Sequence, residues 1–142
     1  MIDLLDANVW VSLSAPDHLH HERARRFWDS EAADRVAFCR VTSLALLRLL
    51  TNSHVMRHGV QTSAQAWDVY SQLLALPETV FMREAAGVQE RLGKLCAVQE
   101  LRDGKWTDAY LAAFAIEGNL RLVTFDRGFG VYRDLPLLLL EE

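Results

Sequence analysis

The sequence predicts an α/β fold, a three-layer α/β/α sandwich in which helices cover both faces of a parallel sheet of about five strands. Short apolar runs alternate with longer segments of helical periodicity along the 142 residues. This alternation is typical of parallel sheets with right-handed crossovers. Three aspartates, Asp6, Asp108 and Asp126, also lie where an apolar element meets a turn. Because parallel strands end at one edge of a sheet, we expect their carboxylates to converge there.

Five short apolar runs are the candidate strands. They cover residues 2–5, 36–39, 79–82, 120–124 and 137–140. Five other segments repeat their apolar residues at helical spacing. They cover residues 21–32, 42–50, 62–74, 88–99 and 108–117. Thr42 or Ser43 is a suitable cap for the second helix, Thr62 begins the third, and Gly118 suits the position just after the last.

Composition indicates an ordinary folded chain, most simply one domain spanning residues 1–142. Half of the residues are apolar (51%) and about a quarter are charged (24%). The formal net charge of −4 means that the molecule as a whole does not attract a phosphate backbone, so nucleic-acid binding would need a local basic patch. Lys94 and Lys105 are the only lysines. The remaining positive charge is arginine, which favours bidentate contacts with phosphate or carboxylate.

Cysteine usage and hydropathy indicate a location in the reduced cytoplasm. Cys39 and Cys96 both fall in apolar stretches and are predicted to be small buried thiols, without a disulfide framework. Asp3 and Asp6 interrupt the first apolar run, so it does not have the pattern of a secretion signal. The apolar run at residues 135–140 is too short to cross a bilayer, and we expect no membrane association.

The three aspartates are the candidate metal ligands. Like charges at close range raise one another's pKa and repel, and a hard divalent cation such as Mg²⁺ resolves that conflict. Taken singly, each has a structural alternative: Asp6 and Asp108 suit helix N-termini, and Asp126 suits a turn. Thr124 lies two residues before Asp126 and shares its side of the strand, where it would orient water or a ligand carboxylate.

Other sites fit the sequence less well. The stretch from Asp6 to Asn8 is similar to an Asp-x-Asp phosphotransferase motif, but Asn8 cannot act as the second acid. The histidines at positions 18, 20 and 21 lack the spacing of a zinc ligand set. A receiver-type signalling domain would need an aspartate after the third strand and a lysine after the fifth, and neither is present.

Three stretches carry a family resemblance: LLDANVW near the start, and WTDAYLAAFA and LVTFDRGF in the last third. Together they resemble PIN-domain ribonucleases, and more narrowly the VapC toxins of prokaryotic type II toxin–antitoxin pairs. The resemblance implies an α/β/α sandwich, endonuclease action on RNA that depends on Mg²⁺ or Mn²⁺, arrest of translation, and inhibition by a small antitoxin. Residue by residue, Asp6, Asp108 and Asp126 match acidic positions of the family, and Thr124 matches a hydroxyl position near the last acid.

One departure from the family is visible. The family usually has a further acid, commonly Glu, early in the helix after the second strand. The matching stretch here runs from Ser43 to Leu46, and no acid lies between Asp34 and Asp68. The departure implies weaker metal binding, or a corner of the site left to water and Ser43.

The leading hypothesis from the sequence is therefore a metal-dependent endoribonuclease. Asp6 and Asp108 would hold the ion, and Asp126 would complete the acidic pocket and orient the attacking water. The candidates for contact with the phosphate backbone are Arg127, Lys105 and Arg102, and the sequence does not choose between them. The alternative is a catalytically weak module that binds an antitoxin or RNA without efficient turnover, which the missing acid favours.

Partners are predicted from apolar helix faces. Trp67, Tyr70 and Leu74 form one stripe beside the leucine-rich helix at residues 42–50, and we expect a homodimer through these helices. A groove there would accept an antitoxin helix. An antitoxin that inserts Arg or Lys into the acidic pocket would pair with the aspartates and displace the metal.

Overall fold

The computed structural model describes residues 1–141, which contain one sheet of five parallel strands. The strands are β1 (Ile2–Leu5), β2 (Arg35–Phe38), β3 (Thr79–Phe81), β4 (Arg121–Thr124) and β5 (Leu137–Leu139). They lie in the order β3-β2-β1-β4-β5, and every neighbouring pair is parallel. Each strand lies within one residue of its predicted bounds at either end. The predicted parallel α/β fold is confirmed.

Helices connect the strands. They are α1 (Ala7–Ser14), α2 (His21–Ser30), α3 (Arg40–Leu50), α4 (Ser53–Met56), α5 (Ser63–Leu74), α6 (Val88–Val98) and α7 (Lys105–Gly118). The strand order places β1 at the centre, with β2 on one side and β4 on the other. The chain therefore changes direction across the sheet between β1 and β4, and this switch point opens a crevice at the carboxyl ends of the two strands.

The two faces of the sheet carry separate cores. Leu4 and Leu122 face a cluster that includes α6 and α7, whereas Leu5 and Val123 face a cluster that includes α1, α2, α3 and α5. Successive residues of a strand point to opposite faces, so short runs of wholly apolar residues can fill both cores. This is the three-layer arrangement that the sequence predicts.

Several helix boundaries differ from the prediction. The helix expected at residue 42 begins at Arg40, and Thr42 lies within its first turn, where its hydroxyl accepts a hydrogen bond from the Cys39 N–H at 2.9 Å. The helix expected at residue 108 begins at Lys105. At its far end Gly118 is still helical, and Asn119 is the residue with left-handed backbone (φ 56°). Asparagine tolerates that conformation because its short polar side chain bonds locally.

Two helices were not predicted, and one cysteine prediction was wrong. α1 lies directly after Asp6, and α4 forms a single turn between α3 and α5. Cys39 is buried as expected, but Cys96 is exposed on α6. Across residues 1–141, no helix has the length and apolar character needed to span a membrane.

A buried ion pair fastens the amino edge of the sheet. The Asp3 carboxylate is fully buried and accepts two hydrogen bonds from the Arg121 guanidinium, at 2.8 and 2.9 Å. It also accepts from the Ala33 N–H at 2.9 Å, and Arg121 donates to the Glu31 carbonyl at 3.0 Å. The pair thus joins β1, β4 and the segment between α2 and β2, at the edge opposite the crevice.

We expect Arg121→Met to lower the free energy of unfolding by about 3–5 kcal/mol, because it leaves a buried carboxylate without its cation. Asp3→Asn should cost less, since the Arg121 side chain is 28% exposed and can be hydrated. Urea unfolding at pH 7 measures both. The double variant Asp3→Leu/Arg121→Met should recover part of the loss. Equal losses in the two single variants would contradict this account.

Candidate active site

Asp6 lies at the carboxyl end of β1, where it also caps α1. Its main-chain N–H still donates to the Val123 carbonyl of β4 at 2.9 Å. Its Oδ1 accepts from the Ala7 N–H at 2.8 Å, and its Oδ2 accepts from the Thr124 hydroxyl at 2.7 Å. The helix-capping alternative and the ligand hypothesis are therefore compatible, because each carboxylate oxygen keeps a further lone pair.

Thr124 holds Asp6 in place. Its hydroxyl donates to Asp6 and accepts from the Asp126 N–H at 3.0 Å and from the Asn8 amide at 3.3 Å. A hydroxyl has one proton and two lone pairs, so these three bonds use its whole capacity. Of the two predicted tasks for Thr124, the geometry supports orienting a carboxylate rather than water. Asn8 acts on Asp6 indirectly, through its hydrogen bond to Thr124.

Asp108 comes from the other face of the sheet, in the first turn of α7. Because this helix begins at Lys105, the Lys105 side chain lies one turn before Asp108, with 4.0 Å between the ammonium nitrogen and Oδ2. The carboxylate is 30% exposed and lines the same cavity as Asp6. The structure thus brings together two acids that are about a hundred residues apart in the chain.

Asp126 lies beside this pair and has a turn-forming role. It caps the 3-10 turn at Arg127–Val131, and its Oδ1 accepts from the Gly128 N–H at 2.8 Å. A Cβ atom at Gly128 would lie 3.0 Å from that oxygen and 3.4 Å from the Lys105 nitrogen, so the close approach favours glycine. Asp126 does not line the cavity that Asp6 and Asp108 share. It belongs to the rim of the acidic group rather than to its centre.

The acids destabilise one another's charged forms. Burial raises the pKa of the Asp6 carboxyl above its ordinary value of 3.8; its hydrogen bonds oppose that shift, and the charges of Asp108 and Asp126 add to it. Burial, then Asp126, raises the pKa of Asp108, and Lys105 opposes the shift. The three aspartates are therefore close enough to interact electrically, as expected.

The cavity that Asp6 and Asp108 share has a volume of about 460 Å³. It is bounded by the start of α1, by α3 and by the start of α7, and its lining includes Thr42, Ala45, Arg48 and Asn52. Ser43, expected at the corner of the missing acid, is instead buried, and its hydroxyl donates to the Tyr70 hydroxyl at 2.8 Å. That corner is formed by neighbouring residues of α3.

The residues present fit a hard divalent cation with a partly hydrated shell. Among residues 1–141, no three His, Cys, Asp or Glu side chains converge closely enough to form a ready-made cage. Magnesium does not need one, because it usually keeps several waters and is bound through one or two carboxylates. Asp6 and Asp108 can supply those two carboxylates. Burial, together with repulsion between the acids, raises their pKa values, and a cation would stabilise the charged forms.

The structure separates the three basic residues predicted to contact phosphate. The Lys105 nitrogen lies beside Asp108 and Asp126. Arg127 is 3.8 Å from the Glu141 carboxylate, and Arg102 is 3.7 Å from that of Glu100. Among the residues described, Lys105 is the one of these three whose ion-pair partner is an acid of the group.

The sequence matches the model of the PIN domain over residues 4–135. It is also 37% identical, over 144 aligned residues, to Ribonuclease VapC41 of Mycobacterium tuberculosis, an alignment that covers 98% of this chain and 99% of that protein. This chain belongs to the PIN-domain family, and to its VapC group. The family resemblance predicted from the sequence is confirmed.

Solved structures show the same PIN-domain fold. VapBC2 from Rickettsia felis, bound to a DNA fragment from its promoter, superposes with a TM-score of 0.71 at 18% identity and covers 99% of this chain and 100% of that chain. VapC20 of Mycobacterium tuberculosis, a toxin that cleaves the sarcin-ricin loop, superposes with a TM-score of 0.71 at 16% identity. The superposition covers 94% of this chain and 97% of that chain. At such identities the likeness concerns the fold.

Sequence reasoning missed two residues of this PIN-domain pocket, Arg48 and Asn52. The leucine-rich helix was considered only for its apolar face. The available signal was the spacing of Ala45 and Arg48, which are three residues apart and so lie on one face of the helix. It could not be recognised without knowing which face meets the crevice.

We expect Asp108→Asn to stabilise the protein in EDTA at pH 7, raising Tm by about 2–4 °C for a gain of about 1 kcal/mol. The pKa of Asp108 is raised, so above its ordinary 3.8 the folded state binds more protons than the unfolded chain. Stability then falls as pH rises through the window from 3.8 to the raised value. Calorimetry should show no gain near pH 3. Asp68→Asn, at an exposed position on α5, is the control and should change Tm little at either pH.

Proposed function

We propose that this protein is a metal-dependent endoribonuclease that acts as the toxin of a type II toxin–antitoxin pair. The observation that carries the proposal is the cavity just beyond the carboxyl end of β1, where Asp6, at the start of α1, and Asp108, at the start of α7, line one space. The VapC relatives named as ribonucleases support the reaction class.

The position of each residue in the site indicates its proposed role. Asp6, fixed by Thr124 and the Ala7 N–H, and Asp108 would hold Mg²⁺ or Mn²⁺. Such a cation supplies an activated water and stabilises charge on the phosphate. Asp126, at the rim, would orient the attacking water. Lys105 neutralises part of the acidic charge at the entrance and lowers the repulsion that a phosphate meets there.

One observation favours the weaker alternative, a module that binds without efficient turnover. α3 contributes no carboxylate to the cavity, and Ser43 is buried in a hydrogen bond with Tyr70. A pocket with only two carboxylates in its lining binds a cation less tightly than one with more. Measured turnover decides between the two proposals.

We also propose that the chain pairs with an antitoxin and forms a homodimer. Structures similar to this one include VapBC complexes, in which the toxin is seen with its antitoxin. Leu44 on α3 and Trp67 on α5 are 51% and 56% exposed, and would form the apolar centre of such a contact. Tyr70, expected on the same stripe, is buried and belongs to the core.

Cleavage of RNA tests the main proposal. Purified protein with Mn²⁺ should cleave structured RNAs, and EDTA should abolish the cleavage. Asp6→Ala and Asp108→Asn should each lower the rate by about a hundred-fold or more, because each removes a proposed ligand of the ion. Asp68→Asn should cleave like the wild type. Equal cleavage by all four proteins would assign the activity to a contaminant and overturn the proposal.

Thr124→Val tests how Asp6 is held. The change removes the donor to the Asp6 carboxylate at nearly constant volume, so the affinity for Mn²⁺ should fall by about 10- to 100-fold, as for other partners that orient metal ligands. Isothermal titration of the metal measures this. Thr124→Ser, which keeps the hydroxyl, should bind Mn²⁺ nearly as well as the wild type. An unchanged affinity in the valine variant would show that Asp6 does not need the hydroxyl.

A further inference from the structure

The cavity that Asp6 and Asp108 share has a second wall, which carries hydrogen-bond donors instead of acids. Asp6 and Asp108 line it from β1 and α7. Arg48, on α3, and Asn52, just after that helix, line it from the other side. Ala45 lies one turn before Arg48 and also lines the cavity, and its small side chain leaves room in front of the guanidinium.

The positive charge of Arg48 has no partner within the described chain. Across residues 1–141 its guanidinium forms no ion pair, side-chain hydrogen bond or ring contact. This contrasts with arginines that have fixed partners: Arg23 with Glu31, Arg91 with Glu117, and Arg121 with Asp3. Since residues 35–67 contain no acid at all, α3 and its flanks cannot neutralise this cation.

Arg48 also differs from the basic residues that the sequence suggested for phosphate contact. Lys105, Arg102 and Arg127 each have a carboxylate oxygen within 4.0 Å. None of the three lines the cavity, whereas Arg48 does. Among the residues described, it is the one cation in the lining of the acidic cavity.

Asn52 adds an amide donor. Its side-chain oxygen caps α4 and accepts from the N–H groups of His54 at 2.9 Å and Val55 at 3.3 Å. These two bonds fix the side chain and use its acceptor. The NH₂ group keeps its two protons, and it belongs to a residue that lines the cavity beside Arg48.

We propose that Arg48, assisted by the Asn52 amide, binds a phosphate group of the RNA strand in the acidic cavity. This inference rests on the proposed function and names the residue that positions its substrate. A guanidinium with a neighbouring amide donor matches the non-bridging oxygens of a phosphodiester. A volume of about 460 Å³ is within the range of ordinary small-ligand sites.

A phosphodiester suits both walls better than an acidic peptide does. Its two non-bridging oxygens point in different directions, so one can accept from Arg48 while the other faces the Asp6–Asp108 side, where a cation would lie. A peptide carboxylate also has two such oxygens, but it would place its apolar stem against one of these polar walls, whereas a phosphodiester is flanked by polar sugars. The cavity is therefore assigned to the nucleic-acid backbone.

Binding without turnover tests the inference separately from catalysis. A labelled single-stranded RNA of mixed sequence is titrated with the full chain in EDTA, and anisotropy is followed at several salt concentrations. Arg48→Gln should raise Kd about ten-fold, as expected for the loss of a charged hydrogen bond. It should also reduce the slope of log K against log salt by about 0.7, since one phosphate contact is lost. Arg48→Lys should recover part of the affinity.

The matched control is Arg35→Gln, which removes the same charge at the opposite edge of the sheet. Arg35 opens β2 at its amino end, where its guanidinium donates to the Pro77 carbonyl. Its Kd should stay within two-fold of wild type, and thermal melts should show that all variants are folded.

The outcomes separate the inference from the proposed function. Wild-type Kd and salt slope in Arg48→Gln would overturn the inference even if the wild type cleaves RNA. Failure of the wild type to bind RNA would also overturn it. Weaker binding by Arg48→Gln, in a protein that does not cleave RNA with Mn²⁺, would support the inference while the catalytic proposal fails.

Discussion

Asp6 and Thr124 meet because β1 and β4 run parallel and end at the same level of the sheet. Their side chains are 118 positions apart in the chain, yet the Asp6 carboxylate lies 2.7 Å from the Thr124 hydroxyl. That hydroxyl also receives the Asp126 N–H and the Asn8 amide, so the last residue of β4 ties together the ends of two strands and the start of α1. The pairing of β1 with β4 therefore brings Asp6, Thr124 and Asp126 together. Asp108 joins this group because the first turn of α7 lies at the same edge of the sheet.

Buried charges are compensated at the amino edge of the sheet but not at its carboxyl edge. At the amino edge, the fully buried Asp3 is matched by a bidentate arginine and a main-chain N–H, so its charge is compensated. At the carboxyl edge, burial and mutual repulsion raise the pKa values of Asp6 and Asp108, so their charged forms are disfavoured. Repulsion of this kind lowers the stability of the metal-free fold and is common at functional sites. The ion pair at the amino edge and the two apolar cores stabilise the fold and offset this repulsion.

The parts of the fold that the sequence predicted are those with a local signal. Strands buried on both faces read as continuous apolar runs, and this is why each was placed to within a residue. Helix starts were less accurate where the residue before the helix is not Ser, Thr, Asp or Asn: Cys39 precedes α3 and Gly104 precedes α7. Thr62 forms a capping box with Gln65 and was placed correctly. In the site, Asp6 and Asp108 were found by position relative to strands and turns. Arg48 was not found, because the direction of a helix face depends on how the helix packs, and Ser43 was misplaced for the same reason.

The absence of a carboxylate on α3 has a physical consequence beyond a lost ligand. Two aspartates and one arginine line the cavity, so without an ion its lining carries a net charge of −1, and one bound divalent cation would change this to +1. Arg48 attracts the single negative charge of a phosphodiester in both states, and the attraction by the whole lining is stronger in the second. A further acid on α3 in place of the uncharged residues there would leave the lining neutral even with the ion bound. On this proposal, the missing acid lowers the affinity of the cavity for the cation and raises its attraction for the RNA backbone. Substrate binding is then coupled to metal binding.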